Sequence, residues 1–258
     1  MFVLCLISFN AKAQGELHEE RELHNYNENS FGISLNSSGW GLDYRFSKRI
    51  NHRNRYFFSV DYSFVKDPKE IKVINPYFES QKKFVYGKTY SFHQIRAGIG
   101  WQKTLFEKRD KGSISINYIL SAGPVLGIAK PIYYEIVDST ETIGNIQYYY
   151  ASEQLLDIDN HSASDIISKS AFYKGLAEIE LKPGIFIKTG VSFDFSNNVL
   201  RTNTLEIGAS IDTYLRPVEI MANNSKYFFW TIYLEYRFGS KYNANLHRDA
   251  RKEARKNR

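Results

Sequence analysis

The sequence contains very little cysteine and no long apolar run. Cys5 is the single cysteine in 258 residues, which excludes a disulfide framework and a cluster of thiolate metal ligands. No stretch approaches the roughly 18 apolar residues of a membrane-spanning helix. We therefore expect neither a disulfide-stapled secreted domain nor a helical membrane anchor.

Aromatic residues, in contrast, are abundant. They make up 16% of the chain, with 19 tyrosines and 18 phenylalanines, and such residues favour strands over helices. At the N-terminus, a short apolar run is followed by Ala11-Lys12-Ala13, a small-residue pattern typical of signal-peptide cleavage. This predicts a signal peptide over residues 1–13, although the usual basic start is missing. The alternative is an ordinary buried strand.

Eight segments alternate apolar and polar residues, which is the pattern of half-buried strands. They are residues 31–35, 40–46, 58–64, 95–101, 114–122, 185–195, 205–211 and 228–238. Short polar turns join the second to the third, the fourth to the fifth and the sixth to the seventh. Longer links join the third to the fourth, the fifth to the sixth and the seventh to the eighth, with loops of about 23, 45 and 10 residues expected within them, whereas the first and second are tightly joined. An even strand count with long loops on one side is typical of an outer-membrane barrel, but alternation alone also fits a sandwich or a lipocalin-like barrel.

The polar positions of these segments mix charge with glycine. The charged residues are Asp43, Arg45, Asp61, Arg96, Lys188, Asp194, Glu206, Asp212, Arg216, Glu235 and Arg237, and the glycines are Gly98, Gly100, Gly123, Gly127, Gly190 and Gly208. The interior of an eight-stranded barrel is only wide enough for side chains, so glycines would make room for long neighbours. Because six acids nearly balance five bases, we expect a salt-bridged, filled lumen and not an open pore.

Large aromatics stand near the ends of the apolar positions. They are Trp40, Trp101, Trp230, Tyr236 and Phe238. In a membrane barrel such residues form girdles at the two interfaces. In a soluble sandwich they would be ordinary core.

The Ala-Lys-Ala-Gln14 region, the repeated strands and the closing segment Tyr-Leu-Glu-Tyr-Arg-Phe-Gly239 resemble small outer-membrane β-barrel proteins of Gram-negative bacteria, most like those of Bacteroidota. The resemblance implies a closed antiparallel eight-stranded transmembrane up-and-down barrel over residues 30–239. It also implies that the aromatic ending the last strand, here Phe238, is read by the barrel-assembly machinery, although twenty residues follow it.

Candidate chemistry is sparse. Some barrels of this size are lipid A deacylases or palmitoyl transferases that use a histidine near the outer rim, and His93 and His161 are the candidates here. His93 lies among apolar positions, however, and His161 has no evident orienting acid. Asp157-Ile-Asp159-Asn160 lacks the glycine and distal glutamate of a calcium loop. We therefore predict no catalytic, cofactor or metal site.

The loops and termini carry separated charge. Residues 66–88 have a net charge of +3 and residues 137–182 of −5. Within the acidic loop, residues 164–176 have apolar positions near helical spacing, which predicts a short amphipathic helix, and Tyr148-Tyr149-Tyr150 predicts a contact surface. These loops are expected to cap the barrel, or to meet lipopolysaccharide phosphates or another envelope protein.

Both termini are expected in the periplasm. An acidic segment, residues 14–29, has a net charge of −4, and a basic tail, residues 240–258, has +5. The tail is either a solvated end or a contact for an acidic partner. Its contact residues would be Arg248, Arg251, Lys252, Arg255 and Lys256.

The sequence thus favours a non-enzymatic outer-membrane barrel with a plugged lumen, acting as a structural or accessory subunit of a larger envelope assembly. The alternatives are a lipid-modifying enzyme and a small-solute channel. No nucleic-acid partner is expected.

Overall fold

The computed structural model describes residues 26–78, 82–108, 112–143, 146–198 and 200–243. The predicted signal peptide and the basic tail contacts lie outside these ranges. No helix in the described part is long and apolar enough to cross a membrane.

Thirteen strands are present in the described residues. They are β1 Tyr26–Asn36, β2 Gly39–Arg49, β3 Asn54–Val65, β4 Lys72–Val73, β5 Phe84–Val85, β6 Tyr90–Phe106, β7 Ser115–Pro131, β8 Tyr133–Ile143, β9 Ile146–Leu155, β10 Ile166–Lys169, β11 Glu180–Asp194, β12 Arg201–Met221 and β13 Asn224–Asn243. Eight of them (β1, β2, β3, β6, β7, β11, β12 and β13) form a closed barrel in which each pairs with its barrel neighbours in the chain. Antiparallel pairing of β1 with β13 closes the ring. The predicted eight-stranded up-and-down barrel is confirmed.

The pairing shifts steadily around the ring. Paired residues followed from Trp230 through the other seven strands return to β13 at Ser240, a displacement of ten residues. This shift tilts the strands by about 40° from the barrel axis and sets a narrow interior. β1 begins and β13 ends at the same end of the barrel, which we call the terminal end. The opposite end is the loop end.

The connections at the loop end differ from the prediction. The expected loop of about ten residues between the last two strands is wrong, because β12 and β13 continue and meet at a turn of Ala222 and Asn223, with Asn223 at a φ of 59°. Val218 and Ile220 keep the inward alternation of β12 and are buried. The residues that the sequence predicted to form this loop therefore extend the barrel wall.

The predicted amphipathic helix over residues 164–176 is also wrong. Residues 166–169 form β10, which pairs with β8, and the helical residues within this stretch are limited to one 3-10 turn that begins at Leu176. The physical reason is the partner that β8 provides: Ile166 and Ser168 alternate inward and are both 0% exposed.

The two long connections, residues 66–89 and 132–179, together form what we call the cap. It contains the hairpin β4–β5 and the three-stranded sheet β10–β8–β9. Its core is a cluster of six apolar side chains, Phe84, Ile132, Tyr134, Ile136, Leu156 and Ile166. The Tyr134 hydroxyl donates hydrogen bonds to the carbonyls of Val85 and Lys88, at 2.9 and 2.8 Å, and so ties the two connections together.

Burial in the barrel is inverted relative to a soluble protein. Along β13, Trp230 is 71% exposed, whereas Glu235 and Arg237 are 0% and 2% exposed. The same alternation places apolar side chains outside and polar ones inside on the other barrel strands. A surface of this kind matches a hydrocarbon environment and not water.

Candidate functional site

Nine of the eleven charged residues predicted for the lumen lie buried in the central part of the barrel. They are Asp43, Arg45, Asp61, Arg96, Lys188, Glu206, Asp212, Glu235 and Arg237. They come from β2, β3, β6, β11, β12 and β13, because each occupies an inward position of its strand. The network therefore crosses the interior and links opposite walls.

Arg96 is the most highly connected cation. Its Nε lies 2.7 Å and its Nη2 2.8 Å from the two carboxylate oxygens of Asp212, and its Nη1 lies 3.0 Å from Asp61. Lys188 bridges Asp61 at 3.3 Å and Glu235 at 2.9 Å. Two carboxylates therefore share each of these cations, which orders the side chains in one connected arrangement.

The remaining central ions pair next to this core. Arg45 lies 3.1 Å from Glu206, which also accepts a hydrogen bond from the Tyr233 hydroxyl at 2.7 Å. Arg237 contacts both Asp43 and Glu235. Each of these cations has a carboxylate partner, so desolvation is compensated by direct pairing.

The tenth predicted residue, Asp194, lies at the terminal end. It accepts hydrogen bonds from Lys108 at 2.9 Å and Lys241 at 3.4 Å. A separate pair, Arg55 and Glu28, lies 2.7 Å apart at the same end. With these partners, the interior holds seven acids (Glu28, Asp43, Asp61, Asp194, Glu206, Asp212 and Glu235) and seven bases (Arg45, Arg55, Arg96, Lys108, Lys188, Arg237 and Lys241).

Sequence reasoning missed four of these residues and misplaced one. Glu28 and Arg55 share the inward phase of β1 and β3 but precede the apolar runs, so extending the alternation by two or three residues would have found them. Lys241 likewise shares the inward phase of β13 and lies three residues beyond its apolar run, whereas Lys108 follows the end of β6, where alternation gives no signal. Arg216, expected inside, is exposed at the loop end, because the pairing of β12 with β13 shifts between Thr213 and Val218 and interrupts the alternation there.

An aromatic cluster fills the barrel above the charge network, towards the loop end. Its buried members are Val65, Phe92, Val125, Ala129, Phe186, Tyr214, Val218 and Ile220. Phe92 and Tyr214 meet edge to face, with ring centroids 5.5 Å apart. The inward glycines make room mainly for such rings: a Cβ at Gly100 would lie 2.1 Å from the Phe57 ring, and one at Gly127 2.6 Å from that of Phe92.

The five residues predicted for the girdles all lie on the outer wall. Trp40 lies at the loop end, where its ring is 5.9 Å from that of Tyr62. Trp101 lies nearer the terminal end, 6.4 Å from Tyr118. Trp230 is on the loop half of β13, and Tyr236 and Phe238 are on its terminal half, with their rings 6.4 Å apart. Two aromatic rows therefore bound the exposed apolar belt.

The two candidate histidines differ in their surroundings. His93 lies in the loop-end aromatic row, where the Tyr62 hydroxyl is 2.8 Å from Nδ1 and the Ser91 hydroxyl 3.3 Å from Nε2. His161 lies in the cap, and its Nδ1 is 3.2 Å from the carbonyl of Asp157. Only His93 combines a hydroxyl at one ring nitrogen with an orienting group at the other.

The Asp157–Asn160 turn is held by its own hydrogen bonds. The Asp157 carboxylate accepts one from the backbone N–H of Asp159 and one from the Asn160 side chain, at 3.1 and 2.6 Å. Within the described ranges, no group of three or more His, Cys, Asp or Glu side chains is placed to hold a metal ion.

Ion pairs at the loop end fasten the cap to the wall. Asp67 lies 2.6 Å from Lys226 and 3.2 Å from the amide of Asn224. Although burial alone would raise it, the pKa of Asp67 is lowered by Lys226 and by the backbone N–H of Lys69. Within the wall itself, Glu180 of β11 accepts a hydrogen bond from Tyr90 of β6 at 2.9 Å.

No family model and no curated protein sequence matches the chain. Among solved structures, Neisserial surface protein A is 15% identical, with a TM-score of 0.37, over 84% of this chain and 96% of that one. The attachment invasion locus protein Ail of Yersinia pestis is 10% identical, with a TM-score of 0.37, over 85% and 100%. The N-terminal β-barrel domain of OprF from Pseudomonas aeruginosa is 11% identical, with a TM-score of 0.33, over 84% and 98%. These are distant likenesses.

Proposed function

We propose that this protein is an integral outer-membrane barrel with a plugged lumen, and that it acts as a structural or accessory subunit of a larger envelope assembly. The observation that carries the proposal is the inverted burial of the barrel. Its outer wall is an apolar belt between two aromatic rows, and its interior is filled by paired ions and aromatic rings. Such a surface needs lipid around it, and such an interior serves to hold the wall together.

The plugged lumen is supported by two stacked layers of side chains. The charge network spans the central section, and the cluster around Phe92 and Tyr214 occupies the loop half. Eight strands with this shear leave little further space. We expect purified protein in planar bilayers to give no measurable conductance. Steady single-channel currents would contradict the plugged lumen and favour a solute channel.

The placement of the strand ends supports an orientation of the barrel in the membrane. Both the start of β1 and the end of β13 lie at the terminal end, which we assign to the periplasm, and the cap then faces outward. Cysteine introduced at Ser139, in the cap, should react with a membrane-impermeant maleimide on intact cells. Cysteine at Ser196, at the terminal end, should stay unlabelled until the cells are opened, and the reverse pattern would overturn the orientation.

The assembly role is supported by exposed aromatics on the cap. Tyr148, Tyr149 and Tyr150 on β9 are each about half exposed, and Phe172 and Tyr173 are more so. Dense exposed aromatics are typical of contact surfaces. Native purification of the tagged chain should recover an envelope partner at fixed stoichiometry, and replacing Tyr148 and Tyr150 by serine should release it. A clean monomer from wild-type cells would contradict the role.

A second candidate function, a lipid-modifying hydrolase, is favoured by the surroundings of His93. In the tautomer whose Nδ1–H donates to Tyr62, Nε2 accepts the proton of Ser91. The Ser91 oxygen then attacks an acyl ester, His93 passes the proton to the leaving alcohol, and water releases the acid from the serine ester.

This candidate is tested by mass spectrometry of membrane lipids from cells carrying Ser91→Ala or His93→Ala. An ester-hydrolysing role predicts the same change in acylation with each variant. An unchanged lipid profile in both variants ends this candidate and leaves the structural role in place.

A further inference from the structure

Four lysines gather where the cap meets the outer wall at the loop end, and we call them the outer-wall lysine cluster. They are Lys66, at the end of β3; Lys88, before β6; Lys130, on β7; and Lys169, on β10. The acid that pairs with them in the described residues is Glu70, whose carboxylate lies 2.6 Å from the Lys88 ammonium. The cluster therefore has more positive than negative charge.

Lys130 is the most enclosed of the unpaired members. It is 5% exposed, and its ammonium nitrogen lies 4.8 Å from the centroid of the Phe172 ring. No carboxylate of the described residues lies within ion-pair distance of it. An ammonium in this position has lost water without gaining a counter-ion.

Lys169 completes the unbalanced site. Burial lowers its pKa, and the positive charges of Lys130 and Lys88 lower it further, opposed by Glu70. In the β10–β8 pairing Lys169 lies opposite Tyr134, whose hydroxyl is 2.8 Å from the Lys88 carbonyl, so the positive charges of the cluster lie on neighbouring segments and repel one another. A ligand that supplied negative charge would relieve this repulsion and satisfy the unpaired donors.

The cluster lies just beyond the loop-end aromatic row. His93 pairs with Ile128, and Lys130 is two residues further along β7, roughly 7 Å towards the loop end. Lys66 lies over the outward-facing ring of Phe64, with its nitrogen 5.6 Å from the centroid. In a membrane this is the level of the lipid headgroups, where lysines extend from an apolar stem towards anionic groups.

We propose that the outer-wall lysine cluster binds the phosphate of a lipid in the outer leaflet, with Lys130 and Lys169 as the principal donors. Lys66 lies at the same rim and adds positive charge, and the rings of Phe64 and Phe172 border the apolar part of the lipid. The Lys88–Glu70 pair holds the site in place. The proposal rests on the proposed membrane location and adds a specific lipid chemistry to it.

The test uses the full chain in phosphatidylcholine nanodiscs that contain a minor fraction of phosphatidic acid, with native mass spectrometry counting the lipids retained. Wild-type protein should retain phosphatidic acid in preference to phosphatidylcholine. Changing Lys130 and Lys169 together to glutamine should reduce this preference about tenfold or more, since each removes a charge-assisted contact. Changing both to arginine keeps the charge and should restore the preference, which separates loss of binding from loss of folding.

A matched control removes the same charge elsewhere in the cap. Lys72 and Lys82 are exposed, and changing both to glutamine should leave the preference intact. An equal loss in this control, or no preference in wild-type protein, would overturn the proposed site.

Inorganic phosphate and membrane insertion provide the remaining comparisons. Free phosphate should compete only weakly, and tight binding of free phosphate by detergent-solubilised protein would show an anion site that does not need a lipid. Wild-type protein that enters nanodiscs without lipid preference refutes the site alone. Protein that fails to enter them refutes the membrane location as well.

Discussion

The interior charge network and the outer-wall lysine cluster are two polar regions of one barrel that differ in charge balance. Inside, seven acids meet seven bases, and every named cation has a carboxylate within reach. In the outer-wall lysine cluster, the described residues provide one acid for four lysines, and that acid pairs with Lys88. Buried charge that serves the fold is balanced within the chain, whereas charge left unbalanced at a membrane interface is available to a ligand.

The largest change in stability should come from removing one charge of the interior network. Arg96→Met leaves Asp61 and Asp212 without their main partner, and an uncompensated buried charge costs about 3–5 kcal/mol. Urea unfolding of the protein in lipid micelles measures the change. The control is Arg216→Met, which removes an exposed arginine and should shift stability by less than about 0.5 kcal/mol. Equal effects of the two variants would show that the network does not stabilise the barrel.

A smaller change in stability should come from adding a side-chain atom to the packed interior. Gly100→Ala places a methyl group 2.1 Å from the Phe57 ring, and such overpacking typically costs about 1–3 kcal/mol. The same unfolding experiment measures it. Phe57→Leu in the same chain should recover part of the loss, and no recovery would place the strain elsewhere.

The stability that the Asp67–Lys226 ion pair provides between cap and wall should depend on pH. The lowered pKa of Asp67 means that its contribution is complete above the unfolded value, about 3.9, and is lost as the pH falls through the lower folded value. Wild-type protein should therefore lose about 1 kcal/mol between pH 7 and the acid end of this window. Melting curves of wild type and Asp67→Asn check this, since the variant should lack this part of the drop. A parallel drop in both would assign the pH dependence to other groups.

The smallest effect is expected for an exposed ion pair of the cap. Lys174 and Glu153 lie 2.5 Å apart, with side chains 43% and 33% exposed. Exposed pairs contribute little to stability because water screens them, so Lys174→Gln should change the melting temperature by about a degree or two at most. A large shift would mean that this part of the cap depends on its charges as the interior does.

Alternation predicted the barrel because it is a direct consequence of a wall with lipid on one side and a filled lumen on the other. It also placed Asp43, Arg96 and Glu235 inward, since their strands repeat every two residues. Prediction from alternation failed for residues of the cap, which do not lie between lipid and a filled lumen. Residues 166–169 have helix-like spacing, but the neighbouring strand β8 offers backbone partners that no local pattern reveals.

The outer-wall lysine cluster was likewise hidden from the sequence. Lys66 and Lys88 lie in the segment of net charge +3, Lys169 lies in the segment of net charge −5 about a hundred residues away, and Lys130 lies in the strand between them. Only the fold of the cap over the wall brings them together. The Ser91–His93–Tyr62 contacts depend in the same way on the register between β3 and β6.

The pairing of β1 with β13 has a kinetic consequence. Eleven residue pairs, from Tyr26 with Asn243 to Asn36 with Tyr233, join segments about two hundred residues apart. Such distant contacts form slowly because much of the chain must be ordered first. Until this joint forms, both strands have free edges that can pair with other chains. The nascent protein therefore needs protection from aggregation during its whole passage to the membrane, and its last folding step is the one that ends this vulnerability.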